Sequence, residues 1–246
     1  MREDLSIQFA PYILYGVFSL ITLTEKLSGV EFMKKTNQPK EKVNSRNRVK
    51  MIRKLTVTAI MSALSYALML IQFPLPFMPF FIEFDVSELP ALITSFAFGP
   101  HYGILVCFLK NALHCLASKT FTVGELSNFI LGAVFVGIAG LIYMIKKNRK
   151  YAFIGAMAGS LAMAVVCFFS NMYITYPFYA EVFTGGMDAI LGLYQAILPS
   201  MDSIWKSILV FNVPFTFVKG LVSVAVTFLI YRKLSPILKG RLEYKS

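Results

Sequence analysis

The sequence predicts an all-α integral membrane protein, built as a bundle of six transmembrane helices. Its 246 residues are 57% hydrophobic and only 15% charged, whereas about a quarter of the residues of a soluble domain are charged. The apolar residues form runs comparable to the roughly 20 residues that a helix needs to cross a bilayer. These runs are continuous and lack the alternation of transmembrane barrel strands, so they are predicted to be helical.

Six apolar runs define the predicted helices in chain order. The second is short and ends at Gly99-Pro100, a turn signal. The fourth is closed by a basic run that begins at Lys146. A long loop over residues 182–203 is predicted to separate the fifth from the sixth. The predicted helices cover residues 52–71, 87–98, 102–117, 123–145, 152–178 and 204–234.

Two regions are predicted: an N-terminal extension over residues 1–50, and the six-helix membrane domain over residues 51–240. The extension contains an apolar run at 6–24 and a basic, polar stretch at 33–50 that reads as a disordered linker. Two alternatives remain for the extension. Either the run at 6–24 crosses the membrane as a seventh helix, or Met33 is the true start of the chain.

The positions of the charges predict the topology of the helices. The net charge of +11 raises the idea of a nucleic-acid partner, but most basic residues lie between apolar runs, at 34–54, 146–150 and 232–245. Six helices place these zones on one side, which the positive-inside rule assigns to the cytoplasm. The bilayer is therefore the expected partner, and both ends of the six-helix domain are expected to be cytoplasmic. The opposite loops are acidic and contain Glu83, Asp85, Glu88, Glu181, Asp188 and Asp202.

The segment after the first helix is predicted to be a lid. Its prolines forbid a continuous helix, yet its phenylalanines make it too apolar for an ordinary solvated loop. An acidic rim follows at its far end. The residues assigned to the lid are Phe73, Pro74, Pro76, Phe77 and Pro79.

Charged and amide side chains within apolar helices mark a predicted ligand site. Lys219 has apolar sequence on its cytoplasmic side, which favours an ammonium that points into a cavity over one that reaches the outer interface. Thr216 lies one turn earlier on the same face. Asn171 both donates and accepts hydrogen bonds and so suits the edge of a heteroaromatic ring. The alternative for Asn171 is a hydrogen bond between helices.

A polar network is also predicted across the bundle. Lys110 and Asn111 are expected to pair with Glu125 or with Asn128, because unpaired charges are costly at this depth. His114, one turn after Lys110, is expected to be a packed core histidine.

A stripe of small residues, Ala59, Ala63 and Ala67, repeats every four positions along the first helix. Small residues at this spacing let two membrane helices approach closely. The stripe is expected either to pack inside the six-helix domain or to dock a partner membrane subunit.

The sequence offers little for catalysis, so an enzyme is not expected. It contains no His-Glu-x-x-His metal site, no Gly-x-Ser-x-Gly elbow and no phosphate-binding glycine loop. The three cysteines lack the spacing of metal ligands. Neither a metal nor a cofactor is expected, and any energy from ATP must come from another chain.

Several short motifs together resemble one family, the riboflavin-binding S components of energy-coupling factor (ECF) vitamin transporters. The resemblance spans roughly residues 50–240. The motifs begin at Phe73 (FPLPF), Phe84 (FDVSELPALI), Phe98 (FGP), Leu109 (LKNALH), Gly124 (GELSNF) and Val213 (VPFTFVKG).

The resemblance implies a six-helix, multi-pass subunit of the bacterial cell membrane that binds riboflavin near the outer face, beneath the lid. It implies docking through the first helix on a transmembrane coupling subunit that works with two ATPase subunits. It also implies that Asn171, Thr216 and Lys219 contact the flavin ring. Members of the family usually have Asn at the position of Thr216, so that contact is expected to differ. Other readings are a subunit for another vitamin or a stand-alone secondary transporter.

Overall fold

The structure, a computed structural model, describes residues 45–117, 122–182 and 186–239. Within these ranges, three helical segments are long and apolar enough to cross a membrane: Val123–Ile145, Arg149–Val182 and Ile204–Leu229. The chain is thus a mostly helical membrane protein, in agreement with the predicted class.

Nine α-helices and one short hairpin make up the described part of the chain. A 3₁₀ turn, Cys115–Ala117, follows α3. Two π-helical segments, Asn171–Thr175 and Ile208–Asn212, join α5 to α6 and α8 to α9. Strands β1 (Phe73–Pro74) and β2 (Glu83–Phe84) pair antiparallel. The helices are α1 (Ser45–Met69), α2 (Glu88–Phe98), α3 (Pro100–His114), α4 (Val123–Ile145), α5 (Arg149–Ser170), α6 (Tyr176–Val182), α7 (Gly186–Ile197), α8 (Ile204–Ser207) and α9 (Val213–Lys239).

Helix α4 has the bounds that the sequence predicts, because an uninterrupted apolar run ends at a basic cluster. The predicted turn between α2 and α3 is also present. Gly99 adopts φ +111°, a conformation that glycine tolerates and other residues rarely adopt. Pro100 then occupies the first turn of α3, where its missing N–H costs nothing. α2 has only 11 residues, about 16 Å of helix, which is shorter than a full span.

Two predicted loops are partly helical. Helix α1 begins at Ser45, so the predicted linker over 33–50 ends earlier than expected. Helix α7 occupies much of the predicted loop 182–203, because Ile190 and Tyr194, one turn apart, bury one of its faces. The apolar run at 6–24 and the alternative start at Met33 lie outside the described residues.

Two compact units divide the chain after Arg53, and the start of α1 is the described part of the first unit. In the second unit, α2–α5 surround an apolar core that includes Leu92, Val106 and Phe135, all fully buried. Small residues let α4 and α5 approach each other closely. A Cβ at Gly159 of α5 would lie 2.5 Å from the carbonyl oxygen of Phe135 on α4.

Candidate ligand-binding cavity

A cavity of about 170 Å³ lies among the lid segment, the ends of α1 and α3, the start of α4, and the two π-helical segments that precede α6 and α9. Its wall is partly apolar, with Phe81, Ile82 and Phe215, and partly polar. Such a mixture, in which a few polar groups orient a ligand within an apolar wall, is typical of small-molecule sites.

The three side chains predicted to bind the ligand, Asn171, Thr216 and Lys219, all line this cavity. Cys167 connects two of them. The Nδ2 of Asn171 donates to the Cys167 carbonyl at 2.9 Å and to its sulfur at 3.0 Å. The Oγ1 of Thr216 donates to the same sulfur at 3.1 Å. Cys167 therefore fixes the positions of an amide and a hydroxyl on facing segments, a role that the sequence did not reveal.

Lys219 is held by the acidic residues that the sequence placed on the rim. Its Nζ lies 2.7 Å from Asp85 Oδ2 and 3.8 Å from Glu88 Oε2. Asp85 and Glu88 are 5% and 2% exposed, so they are internal partners of lysines and do not form an exposed acidic rim. Burial raises the pKa of Asp85, but the attraction of Lys219 and Lys110 outweighs burial and holds this pKa below its ordinary value.

The predicted partners of Lys110 were also wrong. Its Nζ donates to Glu88 Oε1 at 2.6 Å and to Ser87 Oγ at 2.5 Å. Glu88 lies 22 residues from Lys110 in sequence, so local spacing did not indicate this pair. Asn111 instead donates to the Cys107 carbonyl within its own helix, at 2.8 Å.

The other two members of the predicted network, Glu125 and Asn128, line the cavity. Glu125 Oε1 lies 2.9 Å from Nδ1 of His114, which is also buried at the wall of the cavity. Among the described residues, the one hydrogen-bond contact of Asn128 is long, 4.0 Å between its Nδ2 and the sulfur of Met69. The network is thus divided into a lysine–glutamate pair and a histidine–glutamate pair. Within the described ranges, no group of three His, Cys, Asp or Glu side chains is placed to hold a metal ion.

The lid segment covers the cavity with its second half. Phe81 and Ile82 line the cavity, and Phe81 makes edge contacts with Tyr176 and Tyr179 at 6.0 and 5.6 Å between ring centroids. The proline-rich half lies outside the wall. Of the residues assigned to the lid, Pro79 is buried, and four are exposed: Phe73, Pro74, Pro76 and Phe77.

A closed hydrogen-bonded set adjoins the cavity where the two π-helical segments meet α7. The hydroxyl of Tyr194 donates to Asn212 Oδ1 at 2.7 Å, and Asn212 Nδ2 donates to the hydroxyl of Tyr176 at 2.6 Å. The two hydroxyls also bond to each other. Through Tyr194, helix α7 is therefore bonded to the start of α6 and to the π-helical segment before α9, both of which line the cavity. The i, i+4 spacing of Ile190 and Tyr194 was the signal that could have revealed it.

The stripe of small residues lies on an exposed face of α1. Ala59, Ala63 and Ala67 are all exposed, whereas Thr58 and Ser62 are buried on the other side of the helix. The stripe is therefore not packed inside the described part of the chain.

A mostly helical membrane fold with a partly polar cavity defines a membrane protein that binds a small ligand. Comparison with known families makes this specific. Residues 53–231 match the family model described as "ECF transporter, substrate-specific component". The chain belongs to this family and is the substrate-binding subunit of an ECF transporter, as the motifs of its sequence indicated.

Two named relatives align with three quarters or more of this chain. The chain is 32% identical over 200 residues to the riboflavin transporter RibU of Staphylococcus aureus (strain TCH60), an alignment that covers 80% of this chain and 99% of RibU. It is 29% identical over 189 residues to the riboflavin transporter FmnP of Bacillus subtilis (strain 168), covering 75% and 93%. A solved S component of a bacterial ECF transporter superimposes with a TM-score of 0.61 at 31% identity, covering 77% of this chain and 99% of that one.

Proposed function

We propose that this protein binds riboflavin for ATP-driven uptake through an ECF transporter. The observation that supports this most directly is the convergence of Asn171, Thr216 and Lys219 on one cavity. RibU of Staphylococcus aureus and FmnP of Bacillus subtilis, two relatives of this chain, are riboflavin transporters, which agrees with this ligand.

In this proposal the amide of Asn171 and the ammonium of Lys219 meet the uracil-like edge of the flavin ring, which offers two acceptors and a donor. The apolar remainder of the ring packs against Phe81 and Phe215 at the wall. The cavity of about 170 Å³ is smaller than the roughly 300–1,000 Å³ typical of drug-sized ligands. Binding of a three-ring compound therefore requires the wall to move outward, and the lid segment is the part of the wall without a helix to hold it.

The partners and orientation follow from the same proposal. A coupling subunit in the membrane docks on the exposed stripe of Ala59, Ala63 and Ala67, and two ATPase subunits supply the energy. The six-helix domain lies in a bacterial cell membrane with both of its ends in the cytoplasm. The basic residues at 146–150, just after α4, support this side as cytoplasmic. Riboflavin is the cargo in this scheme and serves no cofactor role.

One residue favours a second candidate, a subunit of the same family for another vitamin. Thr216 stands where riboflavin-binding members usually have Asn, and its hydroxyl is engaged by Cys167. A binding competition among heteroaromatic vitamins separates the two candidates. The proposal requires that riboflavin displace the others.

Transport is tested in cells that lack their own riboflavin uptake. We expect uptake of labelled riboflavin only when the chain is expressed together with a coupling subunit and both ATPases. Equal uptake by the chain alone would contradict the proposal and favour a stand-alone secondary transporter.

A further inference from the structure

Glu88 has a buried oxygen that the protein leaves without a hydrogen bond. The residue is 2% exposed and lines the cavity. Among the described residues, no group forms a hydrogen bond with its Oε2. A buried carboxylate oxygen without a donor is costly, so the site is incomplete without a further donor.

The rest of the carboxylate is rigidly held. Oε1 accepts from Lys110 at 2.6 Å, and Lys110, which is fully buried, also donates to Ser87. Gly132 of α4 also faces Oε1 of Glu88, and a Cβ added at this glycine would lie 3.5 Å from that oxygen. Lys110 does not line the cavity. It acts as a positioning residue that compensates the charge of Glu88 and occupies Oε1, which leaves Oε2 as the oxygen without a hydrogen bond.

Next to this acceptor stands a donor. Lys219 Nζ is 3.8 Å from Glu88 Oε2, too far for a mutual hydrogen bond. The pair can therefore bind a ligand that presents a donor beside an acceptor. Two parts of riboflavin have this chemistry: the imide edge of the ring, with its N–H between two carbonyls, and the hydroxyls of the ribityl chain.

We propose that Glu88 is a ligand-binding residue, whose Oε2 accepts a hydrogen bond from the ligand while Lys219 donates to the neighbouring acceptor. This inference rests on the proposed function and adds a contact that the sequence did not assign. It makes Glu88 a determinant of specificity, because a ligand without a donor at this point leaves the carboxylate oxygen unmet.

The test compares Glu88→Gln with the unaltered protein. Gln keeps the shape and removes the charge, so the bond to the ligand becomes a weaker neutral one. Dissociation constants are measured on the purified full-length protein for three flavins: riboflavin, lumiflavin, which lacks the ribityl chain, and 3-methylriboflavin, which lacks the imide N–H. We expect riboflavin to bind Glu88→Gln about tenfold more weakly, the difference between a charged and a neutral hydrogen bond.

The other two ligands show whether the contact is direct. If the loss disappears for 3-methylriboflavin, Glu88 binds the imide, and if it disappears for lumiflavin, Glu88 binds the ribityl chain. Both outcomes support the proposal. An equal loss for all three flavins, or no loss for riboflavin, overturns it, because the residue would then act only on the fold or not at all.

Two further variants keep the test interpretable. The double variant Glu88→Gln with Lys110→Met removes both partners, so that no buried lysine is left without its carboxylate, and it must show the same dependence on ligand. Glu181→Gln alters an exposed carboxylate that does not line the cavity and must bind all three flavins normally. If the unaltered protein binds none of the flavins, the proposed function itself fails, which is a different result from an equal loss.

Discussion

The ion pair between Lys219 and Asp85 predicts a large and specific effect on stability. Both side chains are nearly buried, with 12% and 3% exposure, and their charged atoms are 2.7 Å apart. Lys219→Met leaves Asp85 as a buried carboxylate that has lost its closest cation. Breaking a buried pair in this way typically costs about 3–5 kcal/mol, so we expect the free energy of unfolding to fall by about that amount.

Removing both charges should recover most of the loss. In the double variant Lys219→Met with Asp85→Asn, neither partner is left as an uncompensated buried charge, and such neutral replacements are often tolerated. The free energies of unfolding are measured by denaturant titration of the protein in detergent, and the two single variants and the double variant form a cycle. Strictly additive losses would refute the pairing that the structure shows.

The double variant also separates folding from binding. Because it should fold, its flavin affinity reports on Lys219 as a ligand contact without the cost of an isolated Asp85. We expect binding weaker by about 1–3 kcal/mol, since a buried polar group of the ligand loses its partner. Unchanged affinity would remove Lys219 from the site.

Three other changes test separate parts of the molecule. Asn171→Ala should weaken riboflavin binding by about 1–3 kcal/mol, measured by fluorescence titration. Ala63→Trp should abolish uptake and leave binding intact, because it obstructs the exposed face of α1. Leu141→Trp, on the exposed face of α4, should leave both uptake and binding intact. Gly159→Val should lower the free energy of unfolding by about 1–3 kcal/mol through overpacking against α4, whereas Gly192→Ala, with open space around it, should not.

Each of these has an outcome that contradicts it. Normal affinity in Asn171→Ala would mean that this amide only joins helices. Loss of binding in Ala63→Trp would mean that the stripe supports the fold of the cavity. Equal stability of Gly159→Val and the unaltered protein would show that α4 and α5 are not in close contact there.

Hydropathy predicted the long helices because a helix that crosses a membrane needs a long local run of apolar residues. The bounds of α4 follow from one apolar run that ends at a basic cluster. Gly99 marks the turn between α2 and α3, because glycine adopts its positive φ more easily than other residues. The π-helical segments could not be predicted in this way. Neither Asn171–Thr175 nor Ile208–Asn212 contains a glycine or proline that would mark an irregular helix.

The site was predicted where a residue was unusual for its surroundings, as Asn171 and Lys219 are within apolar helices. The site was not predicted where the role of a residue depends on partners that are distant in sequence. Asp85 was predicted to belong to an acidic rim, because Lys219, which pairs with it, is 134 residues away in sequence. Cys167 resembled an ordinary core residue, and its place between Asn171 and Thr216 is set by the tertiary packing of α5 against α9.

The most direct test of riboflavin binding is a titration of the purified full-length protein with riboflavin in detergent. Quenching of the flavin fluorescence reports the binding. If the cavity binds riboflavin, we expect tight quenching that saturates near one flavin per chain, or a yellow preparation that already contains the ligand. A colourless protein that produces no quenching at any riboflavin concentration would contradict the assignment of riboflavin as the ligand.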